Sequence, residues 1–471
     1  MLATGRLRPA LEKAVPLAAQ ARELGFAPLI AQVLSTTASL QIESADLPAA
    51  TKTLQAALVA AESASDQRTR AELRLVASKA AERAGDLEGF QRELDLASAI
   101  LERLPRPDAL RAELAFQQAT LAYFRGDTRT ALDRLRQSVA SYERAQGRES
   151  PGALAARKGL ATTLMDLGDF GPAGQELKTV LELETRLLGP EHPAVAGTLV
   201  LLGAYELMGR GDYSAALADF ERAVALREQS FGADNPRVAD ALNTAGEALR
   251  QLGRLDEAEA RYVRAEALVS KALGPEHPDL PRFWNNLAAN RRAQRRFPEA
   301  LELHRKALAA WEKQLGSDHP LLAMVNYELA ETLREANELP EAMATYERAL
   351  AVQRKARAPG HPDEAFILTG LGRAKLAAGE RDGAREALQT ALRIRQNLVI
   401  DPLELARTHL ALSRVAAPAD ARPLAESALR ELEGAPPSPA RDTLRLDARA
   451  WIRPAPCDLG TAALTGRPLR R

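Results

Sequence analysis

The 471-residue chain contains one cysteine, few aromatic residues and no excess of either charge. The single cysteine, Cys457, excludes an intramolecular disulfide and is typical of a reducing compartment, so we expect a cytoplasmic protein. The 63 basic residues balance the 63 acidic residues, so no net field favours nucleic acid or an anionic membrane. No apolar run reaches the ~18 residues of a membrane-spanning helix, and the first residues lack the apolar core of a signal peptide.

What the chain does contain is a repeated dipeptide in which His or Asn precedes proline. The prolines lie 43, 42, 42 and 42 residues apart. A constant period of roughly 20 to 50 residues is typical of a stacked repeat array. The dipeptides are His192-Pro193, Asn235-Pro236, His277-Pro278, His319-Pro320 and His361-Pro362.

Small residues recur at fixed distances from each proline, and Pro151 opens a further unit. A small residue ten positions on predicts that another backbone crosses close to this helix; these are Ala161, Gly203, Gly246, Ala288, Ala330 and Gly372. Seventeen positions on, Gly or Asn tolerates the left-handed conformation that ends helices; these are Gly168, Gly253, Asn337 and Gly379. Arg295 breaks the rule, so we expect its turn to be strained or differently closed. The unit from Pro193 carries its extra residue within 209–212.

The second half of each unit has an apolar face of helical spacing. In the unit from Pro278 this face is formed by Ala300, His304 and Ala307, and the other units place similar residues at the same positions. Spacings of four and seven lie on one face of a helix. Each unit is therefore predicted to be a helix, a tight turn and a second helix. The next proline falls at a first helical position, where its missing N–H is not needed.

The predicted fold is all-α, an α-solenoid of about ten helical hairpins. The start of the chain in mid-repeat suggests that it is the carboxyl part of a longer protein, and a short helix is expected near 444–451. The predicted segments are a second helix without its partner (1–25), divergent hairpins (26–150), the regular array (151–400), a shortened terminal hairpin (401–434) and a loose proline-rich tail (435–471).

The pattern resembles the tetratricopeptide repeat (TPR). The small residue of the first helix, the glycine of the turn and the Ala-aromatic-Ala series of the second helix match that family's motif. The 42-residue period and phrases such as Leu273-Gly274-Pro275-Glu276-His277-Pro278 are similar to the kinesin-light-chain variety. The resemblance implies a right-handed superhelix whose concave groove, lined by the first helices, holds a peptide. Asn326 and Arg157 replace the usual Trp or Leu, so those units are expected to pack less tightly.

The resemblance also implies which side chains face the groove, namely those 4, 7, 11 and 14 positions after each proline. Arginine recurs at the last of these positions, and guanidinium groups bind carboxylates in a bidentate manner, so an acidic peptide is expected. The alternative is an ordinary solvated helix face. The groove residues are Asp240, Asn243, Glu247 and Arg250, then Arg282, Asn285 and Arg292, then Tyr327, Glu331 and Arg334.

Residues with catalytic or metal-binding potential have simpler interpretations. His192, His277, His319 and His361 stand one per repeat, too far apart to share a metal, and are expected to cap helices. His304 is expected to be a partly buried packing residue. Asp169-Phe170-Gly171 spells the magnesium-binding tripeptide of protein kinases but lacks the rest of the kinase signature. We therefore predict no catalytic residue, no metal and no cofactor.

Two functions of different classes remain open, with a third that is disfavoured. The first is a monomeric, non-enzymatic scaffold that binds a protein or peptide in the groove. The second is the regulatory portion of a larger bacterial signalling enzyme, either a serine/threonine kinase or a signalling ATPase. Nucleic-acid binding is disfavoured by the balanced charge.

Overall fold

The computed structural model describes residues 7–44, 46–105, 108–357, 360–396, 402–434 and 439–452. All regular secondary structure in these ranges is helical. The chain divides into two compact units, Met1–Leu249 with Asp256–His277, and Arg250–Leu255 with Pro278–Arg471.

The first unit contains the helices from α1 to α13, and the end of α12 and the first residue of α13 belong to the second unit. They are α1 (Leu7–Leu24), α2 (Ala27–Glu43), α3 (Leu47–Ser63), α4 (Gln67–Arg83), α5 (Leu87–Leu101), α6 (Asp108–Phe124), α7 (Thr128–Gln146), α8 (Pro151–Asp166), α9 (Phe170–Leu188), α10 (Pro193–Tyr205), α11 (Tyr213–Phe231), α12 (Ala239–Gln251) and α13 (Leu255–Leu273).

The second unit contains the remaining helices that the structure describes. They are α14 (Leu280–Ala293), α15 (Phe297–Leu315), α16 (Leu321–Glu335), α17 (Leu339–Ala356), α18 (Pro362–Ala377), α19 (Arg381–Arg395), α20 (Pro402–Ser413), α21 (Pro418–Gly434) and α22 (Pro439–Ile452).

Within each unit, helices pair as hairpins and consecutive hairpins stack. Even-numbered helices are the first helices of the hairpins, and those from α2 to α10 and from α14 to α20 pack against the odd-numbered helix that follows, as in α6 with α7 and α16 with α17. First helices of successive hairpins also touch, as in α14 with α16 and α16 with α18. This confirms the predicted all-α solenoid of helical hairpins. At the two ends, α1 packs on α2, and α22 packs on α20 and α21.

The dipeptides before the first helices act as caps, which confirms the prediction for three of the histidines. Nδ1 of His192 accepts a hydrogen bond from the backbone N–H of Ala194 at 3.1 Å. His319 and His361 do the same for the residue two positions on, each at 3.2 Å. Oδ1 of Asn235 takes this role in its own repeat, at 3.0 Å. A neutral imidazole and an amide oxygen are therefore interchangeable here.

The turns inside the hairpins adopt the left-handed backbone that their residues predict. Gly168, Gly253 and Gly379 have φ values of 79°, 76° and 88°, and Asn337 has 66°. Arg295 has φ 61°, so its turn closes in the same way as the others. A residue with a side chain is strained in this left-handed region. The sequence left open whether the Arg295 turn would be strained or differently closed, and the structure shows the strained turn.

The unit from Pro193 accommodates its extra residue in a π-helical turn that overlaps the expected range 209–212 at Gly209 and Arg210. Residues Glu206–Arg210 form a π-helical turn directly after α10, and Gly211 then closes the hairpin with φ 59°. A π-helical turn accommodates one inserted residue within a helix. Helices α10 and α11 still pack as a hairpin despite the insertion.

The small residues Gly203 and Gly246 make room for a side chain of the second helix, whereas a Cβ on Gly372 would meet both a side chain and, at 3.2 Å, the backbone oxygen of Ala384, the close backbone that was expected. A Cβ on Gly203 would lie 2.6 Å from the ring of Phe220, and a Cβ on Gly246 would lie 2.7 Å from the ring of Tyr262. Each ring belongs to the second helix of the same repeat. Large and small residues therefore interlock within each hairpin.

Some expectations fall outside the described residues. These include Cys457 and most of the proline-rich tail, although α22 covers the short helix expected near 444–451. Among the described helices, none combines the length and apolar character needed to cross a bilayer.

Candidate binding surface on the first helices

Glu331 of α16 is the centre of a buried polar cluster in the second unit. Its side chain is 6% exposed and accepts a hydrogen bond from the hydroxyl of Tyr346 on α17. The guanidinium of Arg334 lies 2.9 Å from its carboxylate, and that of Arg373 on α18 lies 3.4 Å away. Burial alone raises the pKa of Glu331, but Arg373 and Arg334 more than offset it and hold that pKa well below its usual range.

Two of the arginines that recur 14 positions after the prolines, Arg292 and Arg334, are held by carboxylates of the protein itself. Nη1 of Arg292 lies 3.0 Å from Glu328, which joins α14 to α16. Arg334 also lies 3.3 Å from Glu335. Only 17% of the Arg292 side chain and 14% of the Arg334 side chain are exposed. These two guanidinium groups are therefore fixed in position before any ligand arrives.

Asn285 is paired with His304, which is fully buried and not partly buried as expected. Their Oδ1 and Nδ1 atoms are 3.0 Å apart. Burial, with a smaller contribution from the charge of Arg292, lowers the pKa of His304 to about 3. His304 is therefore neutral and donates its Nδ1–H to Asn285, while its Nε2 has no hydrogen-bond partner among the described residues.

Tyr327 and Arg282 complete the predicted groove residues of the second unit that lie on α14 and α16. The ring centroid of Tyr327 is 6.1 Å from that of Tyr346, and burial followed by the charge of Glu331 raises the pKa of Tyr327. The Arg282 side chain is 38% exposed, more than Arg292 or Arg334, and it lies 3.9 Å from Asp279. Arg282 is thus the most accessible of these three guanidinium groups.

The predicted groove residues of α12 show a similar mixture of pairing and exposure. Asp240 is 51% exposed and lies 3.9 Å from Arg227. Glu247 accepts a hydrogen bond from the Tyr262 hydroxyl at 3.3 Å, and Asn243 is 9% exposed. Arg250, in the last turn of α12, belongs to the second unit, where its charge acts on Arg292.

Sequence reasoning missed two parts of this surface. Glu328, which ties α16 to α14, stands eight residues after its proline and so lies outside the positions taken from the family pattern. Arg373, which ties α18 to α16, stands at the eleventh position after Pro362 but was not among the expected groove residues. The pairing of Glu and Tyr fifteen residues apart, seen in Glu247–Tyr262 and again in Glu331–Tyr346, was visible in the sequence as a second repeated spacing.

Among the residues that the structure describes, no group of three or more His, Cys, Asp or Glu side chains is arranged to hold a metal ion. Asp169 precedes the first residue of α9, and Phe170 and Gly171 lie in its first turn, so the kinase-like tripeptide forms an ordinary helix start.

Comparisons with known proteins agree with this architecture. A family model described as "Tetratricopeptide repeat" matches residues 152–229, 206–271, 279–355 and 323–397, which together make up just over half of the chain. No curated protein matches the chain.

Among solved structures, the chain is 26% identical to nearly identical TPR-like repeats assigned to a kinesin light chain of Podosopora anserina. That match covers 44% of this chain and 98% of the other, with a TM-score of 0.38. A Rap protein complexed with Competence and Sporulation Factor is 13% identical over 78% of this chain and 98% of its own, with a TM-score of 0.57. The apo quorum sensor NprR from B. thuringiensis is 13% identical over 77% and 98%, with a TM-score of 0.56. The last two show that the fold is shared.

Proposed function

The chain belongs to the tetratricopeptide repeat family, and on that premise we propose that it is a non-catalytic scaffold that binds a segment of a protein partner. The binding surface consists of the positions 4, 7, 11 and 14 residues after the prolines of the first helices, here called the first-helix surface. Its members in the first unit are Asp240, Asn243 and Glu247, and its members in the second unit are Arg250, Arg282, Asn285, Arg292, Tyr327, Glu331 and Arg334.

The observation that carries the proposal is the bracing of this surface in the second unit. Arg292 pairs with Glu328 and Arg373 pairs with Glu331, so side chains link α14, α16 and α18 across repeat boundaries. A surface whose rotamers are already fixed loses little conformational entropy when it binds. Bracing of this kind favours recognition of a partner over a purely solvated role for these residues.

We further propose that the bound segment carries carboxylates. Arg282, Arg292 and Arg334 lie on neighbouring first helices, and guanidinium groups donate in pairs to carboxylates. Because Arg292 and Arg334 already contact Glu328 and Glu331, a ligand carboxylate would share them, and the more exposed Arg282 makes the main contact. The Rap protein of the same fold, complexed with Competence and Sporulation Factor, is an example of a complex that such a fold accommodates.

The test is partner capture followed by affinity measurement with two matched arginine variants. The full chain is used to capture partners from the native organism, and the shortest binding segment is then synthesised and its Kd measured. Arg282→Glu on α14 is expected to weaken binding at least ~10-fold, the effect of losing ~1.4 kcal/mol.

Arg305→Glu is the control, because Arg305 lies in the same hairpin on α15, is 51% exposed and pairs with Glu341 at 2.9 Å. The Kd of this variant is expected to stay within about twofold of wild type, because an exposed charge that lies away from the interface contributes little to binding. Equal effects of the two variants, or none from Arg282→Glu, would reject the assignment of the surface.

Simultaneous reversal of Arg250, Arg292 and Arg334 is a poorer test. Glu at position 334 would face the buried Glu331 and the adjacent Glu335, and an unpaired buried carboxylate destabilises a fold by ~3 kcal/mol or more. Loss of binding would then report unfolding.

We also propose that the protein is a monomer and that it acts without a cofactor and without nucleic acid. No feature of the described residues favours the regulatory portion of a kinase or signalling ATPase over a free scaffold. Filter binding at low salt tests the exclusion of nucleic acid, and sedimentation equilibrium tests the monomer.

A further inference from the structure

The turn between α14 and α15 in the second unit is strongly basic. It contains Arg291, Arg295 and Arg296, here called the arginine turn, and the carboxylate of Glu299. Glu299 accepts hydrogen bonds from Nε and Nη2 of Arg296 at 2.8 and 2.6 Å, and it lies 3.2 Å from Nη1 of Arg291. One carboxylate thus stands against three guanidinium groups, so this end of the hairpin carries an excess of positive charge.

The position of Arg296 carries an acidic residue in other hairpins. An acid directly before a helix can cap its unpaired N–H groups and interacts favourably with the helix dipole, whereas a cation there is unfavourable. Arg296 directly precedes α15, and its side chain makes no capping hydrogen bond. The acidic residues at this position are Asp46, Asp86, Asp127, Asp169, Asp212, Glu338 and Glu380. The charge is reversed at Arg296, and also at Arg254 in the preceding hairpin, against the preference of the helix.

Arg295 is unfavourable for a different reason. Its φ of 61° lies in the left-handed region, which costs a residue with a side chain ~1 kcal/mol. The Arg295 side chain is exposed, and no hydrogen bond or ion pair joins it to a residue that the structure describes. The equivalent turns carry residues that tolerate this backbone, namely Gly168, Gly253, Asn337 and Gly379. Residues that are locally unfavourable and lack a compensating contact are typical of binding sites.

A second basic turn lies beside the arginine turn. Nδ2 of Asn290 donates a hydrogen bond to the backbone oxygen of Leu255 at 3.0 Å, and both residues belong to the second unit. Asn290 directly precedes the arginine turn, and Leu255 directly follows the exposed Arg254. The turn of the next hairpin is acidic, with Glu335 and Glu338. The basic edge therefore spans two adjacent turns and ends at the third.

We propose that the arginine turn, with Arg254 beside it, binds the phosphate monoester of a phosphorylated serine or threonine in a protein segment. A phosphate monoester carries a charge of about −1.5 to −2 at pH 7 and has three strong acceptor oxygens. A carboxylate has a single charge and two oxygens, which Glu299 already supplies to this turn. The second charge and third oxygen of a phosphate suit the uncompensated Arg295, while Arg291 and Arg296 share their N–H donors between Glu299 and the ligand.

The site consists of turn residues outside the first-helix surface, so this inference does not depend on the proposed function. The probe is N-acetyl-O-phosphoserine amide, titrated into the full chain at pH 7.5 and low salt and followed by ³¹P NMR. Saturable binding is expected, and the same compound without phosphate should not compete.

Two variants separate binding from structure. Arg295→Asn, which copies Asn337, should raise Kd about fivefold, the upper value for one exposed ion pair. It should also raise Tm, because asparagine tolerates the left-handed turn. Addition of Arg296→Asp, which restores the acidic residue before the helix, should abolish saturable binding and raise Tm further. A purely structural role for the two arginines predicts the opposite change in Tm, and a lower Tm in both variants would overturn the proposal.

Arg348→Asn on α17 is the matched control. Arg348 is an exposed arginine of the same unit, and it too has no ion-pair partner among the described residues. Its Kd should stay within about twofold of wild type. An equal loss of affinity in this variant, or no saturable binding by the wild type, would overturn the proposal. So would tighter binding of a single-stranded oligonucleotide that the double variant abolishes, because the ligand would then be a nucleic acid.

Discussion

The hydroxyl of Tyr346 donates a hydrogen bond to the carboxylate of Glu331, fifteen residues earlier in the same repeat. Tyr262 makes the same contact with Glu247 at 3.3 Å in another repeat. In both cases the donor lies on the second helix and the acceptor on the first. The pair connects the hydrophobic centre of a hairpin to the first-helix surface, so the two parts of the structure are not independent.

Tyr346→Phe tests this connection. Glu331 would lose one donor but keep Arg334 and Arg373, so the free energy of unfolding should fall by ~1 to 2 kcal/mol. Urea denaturation followed by circular dichroism measures the change. Tyr262→Phe should cost less, since its contact is longer and Glu247 is less buried than Glu331. Equal costs would contradict the central role of Glu331.

His304→Phe should remove part of the acid sensitivity of the fold. The folded-state pKa of His304 is about 3, below the ordinary value of ~6.5. The stability that it contributes is therefore complete above pH ~6.5 and is lost as the pH falls towards 3, by up to ~1.4 kcal/mol per pH unit. The equivalent positions in other repeats carry Phe220, Tyr262 and Tyr346, so phenylalanine suits the site.

The measurement for His304 is Tm between pH 7.5 and 4.5 in wild type and His304→Phe. The variant should have a shallower slope, and Tm at pH 7.5 should be equal or higher because the unpartnered Nε2 is gone. Parallel curves would show that His304 does not remain neutral in the folded state.

A smaller effect of the same sign is expected from the helix caps. Burial lowers the pKa of His319, and its Nδ1 must be unprotonated to accept from Leu321. Its contribution is therefore lost on acidification below pH ~6.5. His319→Asn, which copies the cap formed by Asn235, should keep the cap at pH 7.5 and reduce the loss of Tm at pH 5.5. His319→Ala, which lacks the acceptor, should cost ~1 kcal/mol at pH 7.5.

Arg295→Gly should stabilise the hairpin of α14 and α15. Arg295 adopts φ 61°, a conformation that costs a residue with a side chain ~1 kcal/mol and costs glycine little. The urea midpoint should rise. Gly253→Arg at the equivalent turn is the reciprocal control and should lower it by a similar amount. A loss of stability in Arg295→Gly would mean that the arginine side chain outweighs the strain.

The hairpin array was predictable because its geometry requires particular residue types. The left-handed turns require glycine at Gly168 and Gly253, and an aromatic ring or other side chain of the second helix requires glycine at Gly203 and Gly246. The repeat can therefore be recognised from the amino-acid sequence alone. Arg295 shows the limit of this sequence-based prediction, because the neighbouring helices impose a left-handed turn on a residue that does not favour it.

The pairing on the candidate surface was not predictable in this way. Arg292 and Glu328 are 36 residues apart, and their contact depends on the rotation between successive hairpins. Arginine and glutamate are good helix formers at any exposed position, so their presence alone does not reveal a pair. The expected groove positions came from the family resemblance and stay a prediction, whereas the partners of these side chains required coordinates.

The most direct test of the central claim, that the first helices form the binding surface, is hydrogen–deuterium exchange of the full chain with and without the shortest binding segment of its captured partner. We expect the segment to slow exchange in α14 and α16 and to leave exchange in α15 unchanged. Protection confined to the second helices would contradict the account.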